Sequence, residues 1–149
     1  MRFELPEAKK LTLKMVIPIR WGDMDAMGHV NNTIYFRYLE IVRIEWLHRV
    51  MGPPDAAGEG PVIVNTFCNF LKQLKYPGDV LAKHYVAKPG RSSFEAYVTL
   101  ERTDEPGAAC RRRVAAVGER VHEDAVQFVT RRQLDERIKM ALMAVHAVR

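Results

Sequence analysis

Residues 20 to 43 read Arg20-Trp21-Gly22-Asp23-Met24-Asp25-Ala26-Met27-Gly28-His29-Val30-Asn31-Asn32-Thr33-Ile34-Tyr35-Phe36-Arg37-Tyr38-Leu39-Glu40-Ile41-Val42-Arg43, and their pattern decides the fold. Two acids, a glycine, a histidine and two asparagines precede a long apolar segment. Asn31 or Asn32 suits a helix N-cap, because an Asx side chain accepts a hydrogen bond from an otherwise unpaired helical N–H. A helix start also presents free N–H donors and the positive end of a dipole. Asp25, a few residues upstream, can face the same small space. Donors that polarise an oxygen, beside an acid that can attack or activate water, are the parts acyl transfer needs.

The segment that follows, about 33–51, has helical length and no internal glycine or proline. Ile34, Tyr35, Tyr38, Leu39, Ile41, Val42, Trp46 and Leu47 cover more than one face of it, which marks a buried helix. Arg37, Glu40, Arg43 and Glu45 break the apolar pattern, and Glu40 and Arg43 stand at the i,i+3 spacing at which opposite charges pair. Gly52-Pro53-Pro54 stops the helix.

Upstream, residues 11–21 alternate as a first strand, with Leu11, Leu13, Met15, Ile17 and Ile19 on one side. Pro18 places that strand at an edge or a bulge. Downstream, 62–76 reads as one long strand closed by Tyr76-Pro77-Gly78-Asp79, and 80–87 as the next. Phe94, Ala96, Val98 and Leu100 alternate with Glu95, Tyr97, Thr99 and Glu101, as in a half-buried strand. Glu105-Pro106-Gly107 turns the chain into a last strand over about 109–122. Leu134, Ile138, Leu142 and Val145 then fall at helical spacing. One buried helix followed by four strands in hairpin succession predicts an α+β fold, an antiparallel sheet wrapped around that helix, with an extra C-terminal helix.

The opening stretch resembles the hot-dog-fold thioesterases of the 4-hydroxybenzoyl-CoA thioesterase type. Their motif corresponds, without a gap, to Arg20, Asp23, Asp25, Gly28, His29, Val30, Asn31, Asn32, Tyr35, Glu40 and Arg43. The likeness continues in Tyr76-Pro77-Gly78-Asp79 and Gly90-Arg91-Ser92-Ser93-Phe94, and so spans roughly residues 11 to 122. It implies the hot-dog fold, an acyl-CoA thioesterase, and a homodimer or homotetramer built through sheet edges with shared active sites. Coenzyme A is part of the substrate, and no separate cofactor is implied.

The resemblance also assigns roles. Asp25 becomes the nucleophile or general base toward the thioester carbonyl, and either role needs only a carboxylate within reach. Asp23 is expected to brace the loop through hydrogen bonds. His29 lines the loop and orients water or substrate, unless it is simply a hydrogen-bonded structural histidine. The main-chain N–H of Asn32 is expected at the thioester oxygen, with Asn31 as the cap. Gly28 suits close approach of substrate or a positive φ. Pocket walls are expected from Tyr35 and Tyr38 of the helix, faced across the subunit interface by residues such as Phe67, Phe70 and Leu71. Arg91, Ser92 and Ser93 fit the nucleotide and pantetheine arm of coenzyme A, because hydroxyls, free amides and a guanidinium suit phosphate. Glu40 is expected to be structural, paired with Arg43.

Composition fits this reading. A chain of 149 residues, 48% apolar and 28% charged, forms one domain, 1–149, with a sizeable core. No apolar run approaches a membrane span, and the start of the chain has no secretory stretch. A cytoplasmic location is expected, with Cys68 and Cys110 as separate reduced packing residues. The net charge of +5 is dispersed apart from Arg111-Arg112-Arg113 and Arg131-Arg132, and it suits an anionic small molecule as well as nucleic acid. No aromatic interleaving accompanies it, so no nucleic-acid partner is expected. His29, His48, His84, His122 and His146 lack metal-site spacing. Two rivals keep the fold but change the chemistry. A hot-dog enoyl-CoA hydratase would carry Asp-x-Asn-Pro before the histidine, where this chain has Asp25-Ala26-Met27-Gly28-His29. The other is a non-catalytic acyl-CoA-binding module.

Overall fold

The structure is a computed structural model and describes residues 4–52, 59–88, 93–105 and 107–120. Strand β1 (Lys10–Pro18) leads through a short 3-10 helix (Trp21–Asp23) into helix α1 (Asn32–Met51). Strands β2 (Glu59–Phe70), β3 (Asp79–Ala87), β4 (Ser93–Arg102) and β5 (Ala108–Arg120) follow. The five strands form one sheet in the order β1-β3-β4-β5-β2, with every neighbouring pair antiparallel.

Period-two alternation gives the sheet its inner face. Val80, Ala82, His84 and Val86 of β3 and Phe94, Ala96, Val98 and Leu100 of β4 are buried in register. Against them α1 lays Tyr35, Tyr38, Leu39, Val42 and Trp46, which are its buried residues. Helix and sheet thus bury one shared core, with the apolar area removed from water as its main driving force. A five-stranded antiparallel sheet curled on one long helix is the α+β hot-dog arrangement expected from the sequence.

Differences from the expected elements have local causes. Strand β1 ends at Pro18, on the edge of the sheet, as an imino acid without an N–H requires. Strand β2 ends at Phe70, not at Tyr76. The Ala109 carbonyl accepts both the Leu71 and Lys72 N–H, at 2.8 and 3.0 Å, and one acceptor shared by consecutive residues breaks the ladder. Leu74 then turns inward and is fully buried. The expected C-terminal helix lies outside the described residues.

Two expected relationships between side chains change. Glu40 pairs with Arg37 at 3.6 Å rather than with Arg43. The Arg43 Nε is buried without a hydrogen-bond partner among the described residues, and desolvation lowers its pKa against the opposing pull of Glu40. The cysteines, expected as separate packing residues, meet across β2 and β5 with their sulfurs in hydrogen-bond contact at 3.0 Å and without a disulfide.

A bulge accounts for the one histidine in the core. The β1–β3 register shifts between Leu11 and Leu13, which frees Thr12 to reach His84. Thr12 Oγ1 lies 2.6 Å from His84 Nδ1 and donates to the His84 carbonyl oxygen at 3.2 Å. The buried Nε2 has no hydrogen-bond partner among the described residues. Trp46 stacks on the ring at 4.7 Å. Burial, with the positive charge of Arg43, lowers the His84 pKa to about 3.

Candidate active site

The loop between β1 and α1 is held by its own polar residues. Asp23 Oδ2 accepts from the Arg20 N–H at 2.8 Å and from the Tyr38 hydroxyl at 2.6 Å. Burial and that bond raise the Tyr38 pKa, so the phenol remains a donor. The Asp23 carbonyl accepts from the Asn31 N–H at 2.9 Å. Asp23 is thus the expected brace, and it ties the loop to the buried face of α1.

Asp25 sits at the tip of the same loop. Its N–H donates to the His29 carbonyl at 2.7 Å, and its carbonyl accepts from Gly28 at 3.1 Å. Oδ1 accepts from the N–H groups of Met27 and His29, at 2.8 and 3.2 Å. Oδ2 has no partner among the described residues. One oxygen therefore fixes the carboxylate and the other is available, so bracing and chemistry do not exclude each other. Gly28 has φ of 75°, which a side chain rarely tolerates; its conformation closes this turn.

The start of α1 supplies the donor. Asn31 is the N-cap, its Oδ1 accepting from the Thr33 N–H at 2.9 Å. The Asn31 carbonyl takes the Ile34 N–H at 2.9 Å. This leaves the Asn32 N–H, the first of the helix, without an acceptor among the described residues, at the positive end of the helix dipole.

Opposite this helix start runs the segment after β2. The Tyr35 hydroxyl accepts from the Leu74 N–H at 2.9 Å and donates to the Lys72 carbonyl at 3.3 Å. The Leu74 carbonyl in turn accepts from the Val30 N–H at 2.8 Å. Burial raises the Tyr35 pKa, with the Leu74 bond opposing it. Arg102 secures the next turn by donating to the Lys75 and Pro77 carbonyls, at 2.6 and 3.2 Å. Its guanidinium would stand 2.6 Å from a Cβ at Gly78, so a side chain there would have to displace Arg102 from these carbonyls.

Between loop and segment lies a cleft of about 500 Å³ lined by Asp25, His29, Val30, Asn32, Tyr35, Phe70, Leu71, Lys72 and Gln73. A smaller hollow of about 250 Å³, beside Arg37, Glu40 and Arg43, lacks the aspartate and the histidine. The fold therefore brings together Asp25, His29, Asn32 and Tyr35, as well as Phe70 and Leu71. Tyr38 and Phe67 are not among the lining residues: Tyr38 is buried on Asp23, and Phe67 lies on the opposite face of β2 from Phe70. Gly28 and Ser93 do not line the cleft either, Ser93 being the exposed first residue of β4. Arg91 and Ser92 lie outside the described residues. Lys72 and Gln73 were not foreseen, because the stretch containing them reads as strand; the only signal was the lapse of alternation at Leu71-Lys72-Gln73-Leu74.

Comparison with known proteins bears on this arrangement. Residues 19–123 match the thioesterase-like superfamily. A candidate thioesterase of Pseudomonas aeruginosa is 33% identical and superposes with a TM-score of 0.76 over 89% of this chain and 99% of that one. A candidate acyl-CoA thioesterase of Xanthomonas campestris is 30% identical, with a TM-score of 0.67 over 80% of this chain and all of the other. The DHNA-CoA thioesterase of Staphylococcus aureus, 17% identical with a TM-score of 0.72 over 91% of each chain, shares the fold. No curated protein matches the sequence.

Proposed function

From a chain that belongs to the thioesterase-like superfamily and is a thioester hydrolase acting on acyl-CoA, we propose that the Asp25 cleft is where the thioester is cleaved and that the chain is of the 4-hydroxybenzoyl-CoA thioesterase type. One observation carries this reading. Asp25 and Asn32 line the same cleft, and neither the Asp25 Oδ2 nor the Asn32 N–H has a partner among the described residues.

In this scheme the thioester carbonyl oxygen takes the Asn32 N–H, and negative charge grows there as the carbonyl carbon is attacked. A donor of this kind, fixed before the reaction, is worth about 3 kcal/mol. Asp25 Oδ2 removes a proton from the attacking water, or itself attacks and is released by water. Both routes give a free acid and coenzyme A. Oδ1, held by two N–H groups, keeps the carboxylate from rotating away. His29 orients the water or the substrate. Tyr35 offers its ring to the acyl group, since its hydroxyl is engaged by Lys72 and Leu74.

Arg91, Ser92 and Ser93 receive the nucleotide end of coenzyme A, and the whole chain acts as one domain. The working assembly is a homodimer or homotetramer in the cytoplasm, and no cofactor beyond the coenzyme A of the substrate is needed. Among the described residues no helix is long and apolar enough to cross a membrane. A panel of aryl-, short-, medium- and long-chain acyl-CoA esters, assayed by free thiol release with wild type and Asp25→Asn, tests the assignment. Release unchanged by Asp25→Asn would refute it.

A further inference from the structure

The sulfurs of Cys68 and Cys110 lie 3.0 Å apart, and the chemistry proposed above uses neither. That is a thiol–thiol hydrogen-bond contact, about 1 Å longer than a disulfide bond. In the β2–β5 ladder Cys110 stands opposite Phe70, and Cys68 is two residues back along β2. All three share the inner face of the sheet. Cys110 is fully buried, whereas Cys68 is partly exposed.

The pair sits at the root of the cleft wall. The Phe70 ring meets Tyr35 edge-on at 5.2 Å, and both line the cleft. One residue from Cys110, the Ala109 carbonyl holds the N–H groups of Leu71 and Lys72. Any movement of β2 against β5 at the sulfurs is passed to Phe70 and Leu71.

We propose that Cys68 and Cys110 form a reversible oxidation site, closed by peroxide into an intramolecular disulfide that shifts the cleft wall. Cys68, the less buried residue of the pair, attacks peroxide: an S–O bond forms, the O–O bond breaks, and the proton of the thiol leaves with the displaced oxygen as water. The Cys110 sulfur then attacks the Cys68 sulfenic acid. The S–S bond forms, the S–O bond breaks, and the Cys110 proton departs with the hydroxyl group as a second water. The two thiols lose two electrons and the peroxide gains them. A dithiol reductant reverses the process by exchange. Diagonal positions across an antiparallel ladder have Cα atoms about 7–8 Å apart, beyond the roughly 7 Å that a disulfide spans without backbone movement, so closing the bond requires the strands to draw together. Such a bond suits a transient, redox-sensing role rather than permanent stapling.

The effect on hydrolysis rests on the cleft being the active site; the cross-link itself does not. Intact mass and non-reducing peptide mapping after peroxide treatment of the full chain, with Cys68→Ser and Cys110→Ser alongside, test the site. Wild type should lose about 2 Da and yield one peptide pair joining the two strands, and neither variant should do so. Acyl-CoA hydrolysis by wild type should fall about tenfold or more, because a displacement of about 1 Å near reacting groups is costly. Dithiothreitol should restore it, and both serine variants should resist the loss. Two free or over-oxidised cysteines without a cross-link would overturn the site. A cross-link with unchanged hydrolysis would overturn its connection to the cleft.

Discussion

The Tyr38 hydroxyl donates to Asp23 Oδ2 at 2.6 Å, and this bond separates two aspartates that stand only two positions apart. Asp23 is committed to the Arg20 N–H and to a phenol from the buried face of α1. The Asp25 carboxylate is held through Oδ1, and its Oδ2 has no partner among the described residues.

Asp25→Asn keeps the size of the side chain and removes its charge. A general base is typically worth about 100- to 10,000-fold, so kcat should fall at least about 100-fold with little change in thermal stability. Asp23→Asn should keep more activity and lose more stability, since Tyr38 and the loop lean on it. Melting curves and steady-state rates on both variants decide this, and exchanged phenotypes would move the chemistry to Asp23.

Tyr35→Phe removes the acceptor of the buried Leu74 N–H. An orphaned buried donor costs about 1–3 kcal/mol, which a urea titration will register as a lower midpoint. The wall formed by residues 71–73 should loosen as well, raising KM for acyl-CoA. A variant with wild-type midpoint and KM would show that the latch is dispensable.

His84 makes stability depend on pH in a defined direction. Its pKa is about 3 when folded, against 6.5 ordinarily. Below pH 6.5 the unfolded chain binds a proton that the folded chain refuses. The contribution of neutral His84 is therefore complete above pH 6.5 and is lost progressively as the pH falls toward 3. One such proton gives a slope of about 1.4 kcal/mol per pH unit, or about 2 kcal/mol between pH 6.5 and 5, above the range in which most carboxylates titrate. Denaturant titrations across that window should show a shallower slope for His84→Asn than for wild type. Identical slopes would mean that His84 does not titrate on unfolding.

The sheet leaves β1 and β2 as its two edges, and exposed edges are usually paired or covered. Sedimentation of the active protein should give a dimer or tetramer. A fully active monomer would contradict the shared-site assembly.

Arg91→Ala should raise KM for CoA esters more than for short thioesters lacking the nucleotide. Equal changes for both substrate types would identify the turn as merely structural.

Some of this molecule is local and was therefore written in the sequence. Asn31 before an apolar segment without glycine or proline determines where α1 starts, because capping and helix propagation depend on near neighbours. The alternation of 94–100 determines which side chains share a face, but it reads as a half-buried strand, whereas Tyr97 and Thr99 on the other face are buried as well. The family resemblance carried by Arg20 to Arg43 singles out Asp25, His29 and Asn32, which line one cleft. Other features join residues far apart in the chain, and tertiary structure alone decided them. Strand β2 stops at Phe70 because Ala109, 39 positions later, takes two of its neighbours' N–H groups. Glu40 pairs with Arg37, although helix spacing equally allows Arg43, whose Nε is buried without a hydrogen-bond partner among the described residues. Cys68 and Cys110 meet because β5 lies between β4 and β2, an order that periodicity does not encode. Spacing along the chain sets which residues can share a face; packing sets which faces meet.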